Sequence, residues 1–274
     1  MARNLSLIVI AGNEEEMIAD CLKSANFAEE IILVAANSND QTLTIAKKII
    51  TKIKIIKVND EYNKHFAKWR NLGYQAATKK WLFYLDADER ISPFLRDEIL
   101  KVTSTGRYTH YAVPRANFFL GQRVKYGGTY PDYVKRLFKR EKFKGYQGIL
   151  HEEPIVTGQI GYLKNDLLHY THRSLSSMLQ KSIAWTDMEA QALYRAKHPP
   201  VTWWRILRMF FTKLHSRLIT QQMFRDGTVG WISSFFEAFD TFLIYARLWE
   251  KQQQLKIKNY ESKTEKFEDV FFNS

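Results

Sequence analysis

Three carboxylates close one apolar run, Trp81-Leu82-Phe83-Tyr84-Leu85-Asp86-Ala87-Asp88-Glu89. Trp81 to Leu85 has the composition of a buried strand, whereas Asp86, Asp88 and Glu89 are costly to bury without partners. The acids must therefore emerge at an edge or mouth. Side chains alternate along a strand, so Asp86 and Asp88 are expected on one face, close enough to share a hard divalent cation such as Mg²⁺ or Mn²⁺ that keeps positions open for phosphate oxygens. The plainer alternative is a strand running into an acidic turn, with Ser92-Pro93 opening the next helix. A second polar ending follows at Tyr146-Gln147-Gly148-Ile149-Leu150-His151-Glu152-Glu153. Here His151 is a candidate third metal ligand or diphosphate contact and Glu152 a candidate general base, against the alternative of an exposed acidic turn. Asp132, in Tyr130-Pro131-Asp132-Tyr133, is the rival base or else a turn residue.

Such residues need elements to hold them at a common edge. Leu5 to Ile10 reads as a strand, broken at Ala11-Gly12-Asn13, with Glu14-Glu15-Glu16 in the first turn of a helix where acids suit the helix dipole. The pattern repeats with a strand at Ile31 to Val34, a loop at Asn37-Ser38-Asn39-Asp40, a helix at Thr42 to Ile50 and a third strand at Ile53 to Val58. Strands alternating with helices of this length predict an α/β fold with a mostly parallel sheet, whose ligands sit beyond the carboxyl ends of the strands. Asn13, Asn37 to Asp40, Asp60 and the Asp86 to Glu89 cluster all fall there. Phe66 to Thr78 is expected to be helical and carries Lys68, Arg70 and Asn71 near its start. After a helix from Pro93 to Val102, shorter strands at His110 to Pro114, Asn117 to Leu120 and Tyr133 to Phe138 suggest antiparallel additions. Arg136 and Arg140 are read there either as phosphate contacts or as a solvated strand face.

From Leu175 the periodicity is helical up to the breaker His198-Pro199-Pro200. Between Glu189 and Asp226 there are seven Lys or Arg and no acid, and Trp203-Trp204-Arg205-Ile206-Leu207-Arg208-Met209-Phe210-Phe211-Thr212-Lys213 is a basic aromatic helix. That pattern suits an anionic membrane surface, or else a helix packed on the catalytic domain or on a second subunit in a homodimer. A last apolar helix is expected at Gly230 to Trp249, ahead of a charged tail expected to be disordered. The organisation predicted is a catalytic domain over residues 1–172, a basic amphipathic helical appendage over 173–250 and the tail over 251–274.

The chain has 274 residues, enough for one large domain or a domain with an appendage, and its 45% hydrophobic and 26% charged content is ordinary for a globular protein. The net charge of +12 is not ordinary and implies a negatively charged partner. Nucleic acid is disfavoured, because the basic excess is gathered with tryptophan and phenylalanine in one helix and no base-reading motif is present. The single cysteine, Cys21, rules out an intramolecular disulfide and fits a reducing cytoplasm. The N-terminus enters a strand directly and does not read as a signal peptide, and the apolar segment Val229 to Leu248 is interrupted by Glu237, Asp240 and Arg247. Together these place the protein in the cytoplasm, with room for peripheral attachment at the inner face of the plasma membrane.

The order of motifs resembles a family 2 glycosyltransferase of the GT-A fold, and within that family the lipopolysaccharide-core β-1,4-glucosyltransferase group. The residues that carry the resemblance are Leu7-Ile8-Val9-Ile10 with Asn13-Glu14-Glu15, Ser38 with Asp40 and Thr42, Arg70-Asn71, and Leu85-Asp86-Ala87-Asp88-Glu89. Further on they are Pro114-Arg115 with Asn117, Gly127-Gly128 with Tyr130-Pro131-Asp132 and Arg136-Leu137-Phe138, His151-Glu152, and His169-Tyr170 with Arg173-Ser174. The resemblance implies transfer of a hexose, with glucose first in line, from a nucleotide-diphosphate sugar to a saccharide or glycolipid acceptor of lipopolysaccharide core or another envelope glycan, with inversion. It implies a divalent metal, Mg²⁺ or Mn²⁺, on Asp86 and Asp88 with His151. It implies a nucleotide-sugar site at Asn13, Glu15, Asn37, Asp40, Arg70, Asp86 and Ala87, and a base at Glu152 or Asp132. One departure stands out. In Val34-Ala35-Ala36-Asn37-Ser38-Asn39-Asp40, Ala35 occupies the place where the family usually carries a nucleotide-contacting Asp, which leaves a UDP donor open. Two other classes compete. A sugar nucleotidyltransferase would need a Gly-rich phosphate loop that Gly12 alone does not supply, and a degenerate homologue would bind nucleotide-sugar without turnover.

Overall fold

The computed structural model describes residues 2–59, 66–148 and 152–272, and the side chains of 4–59, 66–148 and 152–254. It falls into two units, residues 1–118 with 130–171, and residues 119–129 with 172–274.

The first unit opens with β1 (Ala2–Ala11), α1 (Ile18–Ala25), β2 (Ala28–Ala36), α2 (Thr42–Ile49), β3 (Ile53–Val58), α3 (Phe66–Ala76) and β4 (Trp81–Asp86). The short β5 (Glu89–Ile91), the helix α4 (Pro93–Thr105) and β6 (His110–Phe119) follow. After β7 (Gln122–Arg123) come β8 (Asp132–Lys139), β9 (Phe143–Gln147), β10 (Glu153–Val156), β11 (Ile160–Tyr162) and β12 (Leu167–Tyr170). The main sheet runs β3-β2-β1-β4-β8-β6-β12-β5. Strands β3, β2, β1 and β4 are parallel, β8 is antiparallel to both neighbours, and β12 returns parallel to β6. This is the α/β sheet with antiparallel additions that the sequence predicts.

Alternation along β1 divides the core. Leu5, Leu7, Val9 and Ala11 pack with Ile18, Cys21 and Leu22 of α1 and with Leu95 and Ile99 of α4. Ile8 and Ile10 pack on the other face with Ala67 and Trp69 of α3 and with Phe143 and Tyr146 of β9. Strands buried on both faces read as continuous apolar runs. Helix α4 is bounded by its own chemistry, with Ser92 accepting from the Leu95 amide, Pro93 in the first turn and Gly106 in the left-handed conformation at the end.

The expected separate strands at His110 to Pro114 and Asn117 to Leu120 are one strand, β6, with Pro114 inside it. Proline is tolerated because β11 pairs with His110 to Ala112 and β12 only from Arg115 onward, so Pro114 falls in the gap between two partners.

The second unit contains α5 (Leu175–Arg195), α6 (Trp203–His215) and α7 (Gly227–Phe272). Ser174 and Ser177 form a reciprocal cap at the start of α5. Residues 119–129 keep company with these helices. The Asp226 carboxylate, buried, accepts from the Lys125 and Tyr126 amides at 2.9 to 3.1 Å. Phe119 and Val124 share a small core with Met223 and Val229. Helix α7 runs on through the tail expected to be disordered, as residues 251–272 contain neither Gly nor Pro to stop it.

Candidate active site

The register of the sheet brings the charged residues to one edge, beyond the carboxyl ends of β1, β4, β6 and β12. Arg115 pairs with Asp132, Asn117 with His169, and His169 with Glu89 across neighbouring strands. Their side chains then link in series. Arg70 Nη2 donates to Asp86 Oδ1 at 3.0 Å and to Glu152 Oε1 at 3.3 Å. Arg136 Nη2 donates to Asp86 Oδ2 and, at 2.6 Å, to Glu89 Oε1. Arg115 stands 3.7 Å from Glu89 and donates to Asp132 Oδ2 from Nε at 2.8 Å and Nη2 at 2.6 Å, with Asn117 Nδ2 adding a longer contact at 3.4 Å. Asn117 Oδ1 lies 2.6 Å from His169 Nδ1, and His169 Nε2 lies 3.5 Å from Asp88 Oδ2.

Backbone bonds fix the acidic turn itself. Ala87 N donates to Ile10 O at 3.1 Å, Asp86 N to Glu89 Oε2 at 2.9 Å, and Tyr170 N to Asp88 O at 2.9 Å. Arg90 donates to the carbonyls of Ala87, Glu89 and Met17. Ala87 is buried and serves the turn through its backbone. The two aspartates of the motif have different neighbours, two guanidiniums for Asp86 and an imidazole for Asp88.

Burial opposes charge on Asp86, but Arg136 and Arg70 outweigh it and hold the carboxyl well below the usual aspartate range. Burial pushes the Glu89 carboxyl up against the pull of Arg136. Tyr146 is pushed up to about 12 by burial, so its phenol stays protonated at neutral pH. Asp86 and Tyr146 border a cavity of about 350 Å³ that is also lined by Arg70, Arg136 and Glu152 together with Arg115 and Lys135. Arg70 is 5% exposed, and its Nε and Nη1, with the Nε of Arg136, are buried without a hydrogen-bond partner. The Arg70 guanidinium lies over the Tyr146 ring, 5.4 Å from its centroid. Asn71, next in the chain, exchanges bonds with the backbone of Tyr146 at 2.7 and 2.9 Å and so fastens β9 beside the cavity. Gly145 has φ +112°, and a Cβ there would stand 2.7 Å from Asn71 Oδ1. The Arg-Asn pair therefore divides its work, Arg70 to the cavity and Asn71 to the strand that walls it.

The other expected residues form a separate cluster. Asn13 Oδ1 accepts from the Asn39 amide at 2.8 Å, Glu15 Oε2 from Gln41 at 2.9 Å, and Asp40 from Glu15 and Thr42 at 3.0 Å each. Asn37 has φ +49° and donates its amide to Val58 O at 2.9 Å. Burial opposes the Asp40 charge, yet the bonds from Thr42 and Glu15 lower its pKa. A Cβ at Gly12 would come within 2.5 Å of Ala36 O, so this glycine is what lets the two loops close. Ala35 is buried in the core. His151 and Asp60 lie outside the described residues.

Sequence reasoning missed the burial of Arg136 and Glu89 and the pairing of His169 with Asp88. Arg136 is 5% exposed, not part of a solvated face. The signal available was its position immediately before Leu137-Phe138, in a strand with sheet neighbours on both sides. A divalent ion with ligand bonds of about 2.1 Å places adjacent ligand atoms roughly 3 Å apart, so Asp88 Oδ2 and His169 Nε2 at 3.5 Å have the chemistry and spacing to hold one. Among the described residues no group of three or more His, Cys, Asp or Glu is gathered for a metal.

A parallel sheet with its charged cavity at the carboxyl edge, closed by antiparallel strands and followed by helices, is the GT-A arrangement. The family model for glycosyl transferase family 2 matches residues 6–169. The chain belongs to glycosyltransferase family 2. The lipopolysaccharide core biosynthesis glycosyltransferase LpsC of Rhizobium meliloti (strain 1021) is 24% identical over 262 residues, covering 90% of this chain and 92% of its own. An uncharacterized glycosyltransferase of Rickettsia typhi (strain ATCC VR-144 / Wilmington) is 25% identical, with 94% and 90% covered. Among solved structures, S. aureus TarS 1-349 in complex with UDP-GlcNAc is 13% identical with a TM-score of 0.46, covering 91% of each chain.

Proposed function

We propose that this chain transfers a hexose, with glucose first in line, from a nucleotide-diphosphate sugar, UDP-linked in the simplest case, to a saccharide hydroxyl of lipopolysaccharide core or another envelope glycan, with inversion. The observation that carries the reading is Arg70 bridging Asp86 and Glu152 at the cavity, with buried N–H groups on Arg70 and Arg136 left over. The similarity to LpsC along nearly the whole of both chains supports the acceptor class.

The chemistry follows from charge. As the sugar bond breaks, negative charge gathers on the departing diphosphate, and buried donors already aligned by ion pairs stabilise it without reorganising. Arg70 and Arg136 supply such donors. Asp86 and Glu89 hold the guanidiniums in place rather than reacting. The acceptor hydroxyl must lose its proton as it attacks, and Glu152, 22% exposed at the cavity, is the base. Asp132 is the weaker candidate because Arg115 and Asn117 both engage its Oδ2. A divalent cation would be held by Asp88 with His169, and when bound it would neutralise leaving-group charge as a Lewis acid.

The test is Glu152→Gln. Turnover is expected to fall about 10²- to 10⁴-fold, the range for loss of a general base, while donor Kd in calorimetry stays within about twofold. Unchanged turnover would move the base to Asp132. A thermal-shift panel of nucleotide diphosphates with and without Mn²⁺ identifies the donor class, since ligand bound to the folded state raises Tm. Binding without turnover by the unaltered chain on any donor would favour the degenerate homologue.

A further inference from the structure

Helix α6 presents its apolar side chains outward. Trp203 is 71% exposed, Trp204 61% and Phe211 61%, with Leu207 beside them, and no side chain of the helix is buried. At 100° per residue these four fall within one third of the helix circumference, and Arg208 and His215, both exposed, border them. An adjoining side supplies contact with its own unit, as Ile206 packs against Ala190, Val201 and Leu248. That side is thus already used, and the outward apolar face needs another cover.

Charge indicates what covers it. Between Glu189 and Asp226 there is no acid, and three acids of the neighbouring helices are engaged. Glu237 accepts from Arg217 and lies 3.8 Å from Lys213, Asp187 pairs with Lys251 at 3.1 Å, and Asp240 accepts from Ser182. Arg195, Lys197 and Arg208 remain as exposed positive charge. A second copy meeting this face about a twofold axis would set basic residues against basic residues. Aromatic side chains among bare cations match the interface of an anionic bilayer, where indole rings lie at the headgroup level and Lys and Arg meet lipid phosphates. Among the described residues no helix is long and apolar enough to cross a membrane, so the contact is a surface one.

We propose that the outer face of α6 docks on the surface of an anionic phospholipid bilayer, with Trp203, Trp204, Leu207 and Phe211 inserted and Arg208 at the headgroups. This stands apart from the sugar chemistry and does not depend on it. The test is flotation of the full chain with phosphatidylcholine vesicles, with and without phosphatidylglycerol. Binding is expected only with the anionic lipid, with weakening as salt rises and a blue shift of tryptophan emission. The triple variant Trp203→Ser, Trp204→Ser, Phe211→Ser is expected to bind at least about tenfold more weakly, and Arg208→Gln about fivefold more weakly. These positions are exposed, and an unchanged circular dichroism melt checks that the variants fold. Equal flotation on neutral vesicles, or equal binding by the triple variant, overturns the proposal. Absence of lipid binding together with a sedimenting dimer that the triple variant abolishes assigns the face to a second copy instead.

Discussion

Two clusters of polar residues stand at the same edge of the sheet and differ in how their donors are used. In the loops after β1 and β2, Asn13, Glu15 and Asp40 each accept from a backbone amide of the opposite loop. Around β4 and β8, three arginines and five acids are linked in series, yet Arg70 and Arg136 keep buried N–H groups without a partner. An unmade buried hydrogen bond costs roughly 1–3 kcal/mol per group, a cost that a ligand entering the cavity beside Arg70 and Arg136 would remove. Polarity at a strand end marks an edge. Leftover N–H groups on two arginines that line one cavity give a ligand donors to meet, whereas single buried groups such as Ser38 Oγ and Trp81 Nε1 line no cavity with them.

The contrast is most directly broken at Arg70. Arg70→Met is expected to lower kcat/KM about 10²- to 10³-fold, the loss seen on removing a preorganised donor to developing charge. A steady-state assay with the true donor measures it, and a loss below tenfold would make Arg70 a structural strut. Next in size, Arg136→Ala leaves Asp86 and Glu89 facing one another with less compensation. Urea denaturation should show a loss of about 3–5 kcal/mol, as for one partner removed from a buried ion pair. A smaller change is expected from Asp40→Ala, about 1 kcal/mol in the same measurement, with nucleotide affinity altered less than threefold if this cluster serves the loops alone. A tenfold loss of affinity would return these loops to the donor site.

The smallest and most specific effect is in acid. The folded pKa of Asp86 is depressed, because its two guanidiniums overcome burial. Its stabilisation is therefore complete above the unfolded value of about 3.9 and is lost as pH falls toward the folded value. Asp86→Asn should flatten that acid limb in stability curves between about pH 4 and pH 2, while leaving the slope near neutrality unchanged.

The strands and helices of the first unit were legible because their cause is local. Ile53 to Val58 is β3 as expected, and Phe66 to Thr78 differs from α3 by a frayed end. The acidic turn and Glu152 were legible as polar strand ends, and the structure sets Asp86 and Glu152 at one cavity. What could not be read was partnership. Whether Arg136 meets solvent or two carboxylates depends on β8 lying between β4 and β6, a register set by residues far apart in the chain. His169 acquires its meaning in the same way, from β12 pairing with β5 and β6. Ala35 could be seen to replace an acid, but its place in the core appears only once α1 and α2 cover that face.

The detour of residues 119–129 into the helical unit has a consequence for how the chain is made. The amides of Lys125 and Tyr126 wait for an aspartate 101 and 100 residues later in the sequence. At ribosomal speeds of about 5–20 residues per second, that interval is on the order of five to twenty seconds. For that time the strands on either side of the detour are complete in sequence while the loop between them has the short pairing of β7 with β6, but not yet Asp226, to hold it. A nascent chain halted before Asp226 would carry every residue of the first unit and still lack the lock on this loop, so the short turn that precedes the last helix decides when the newly made enzyme is finished.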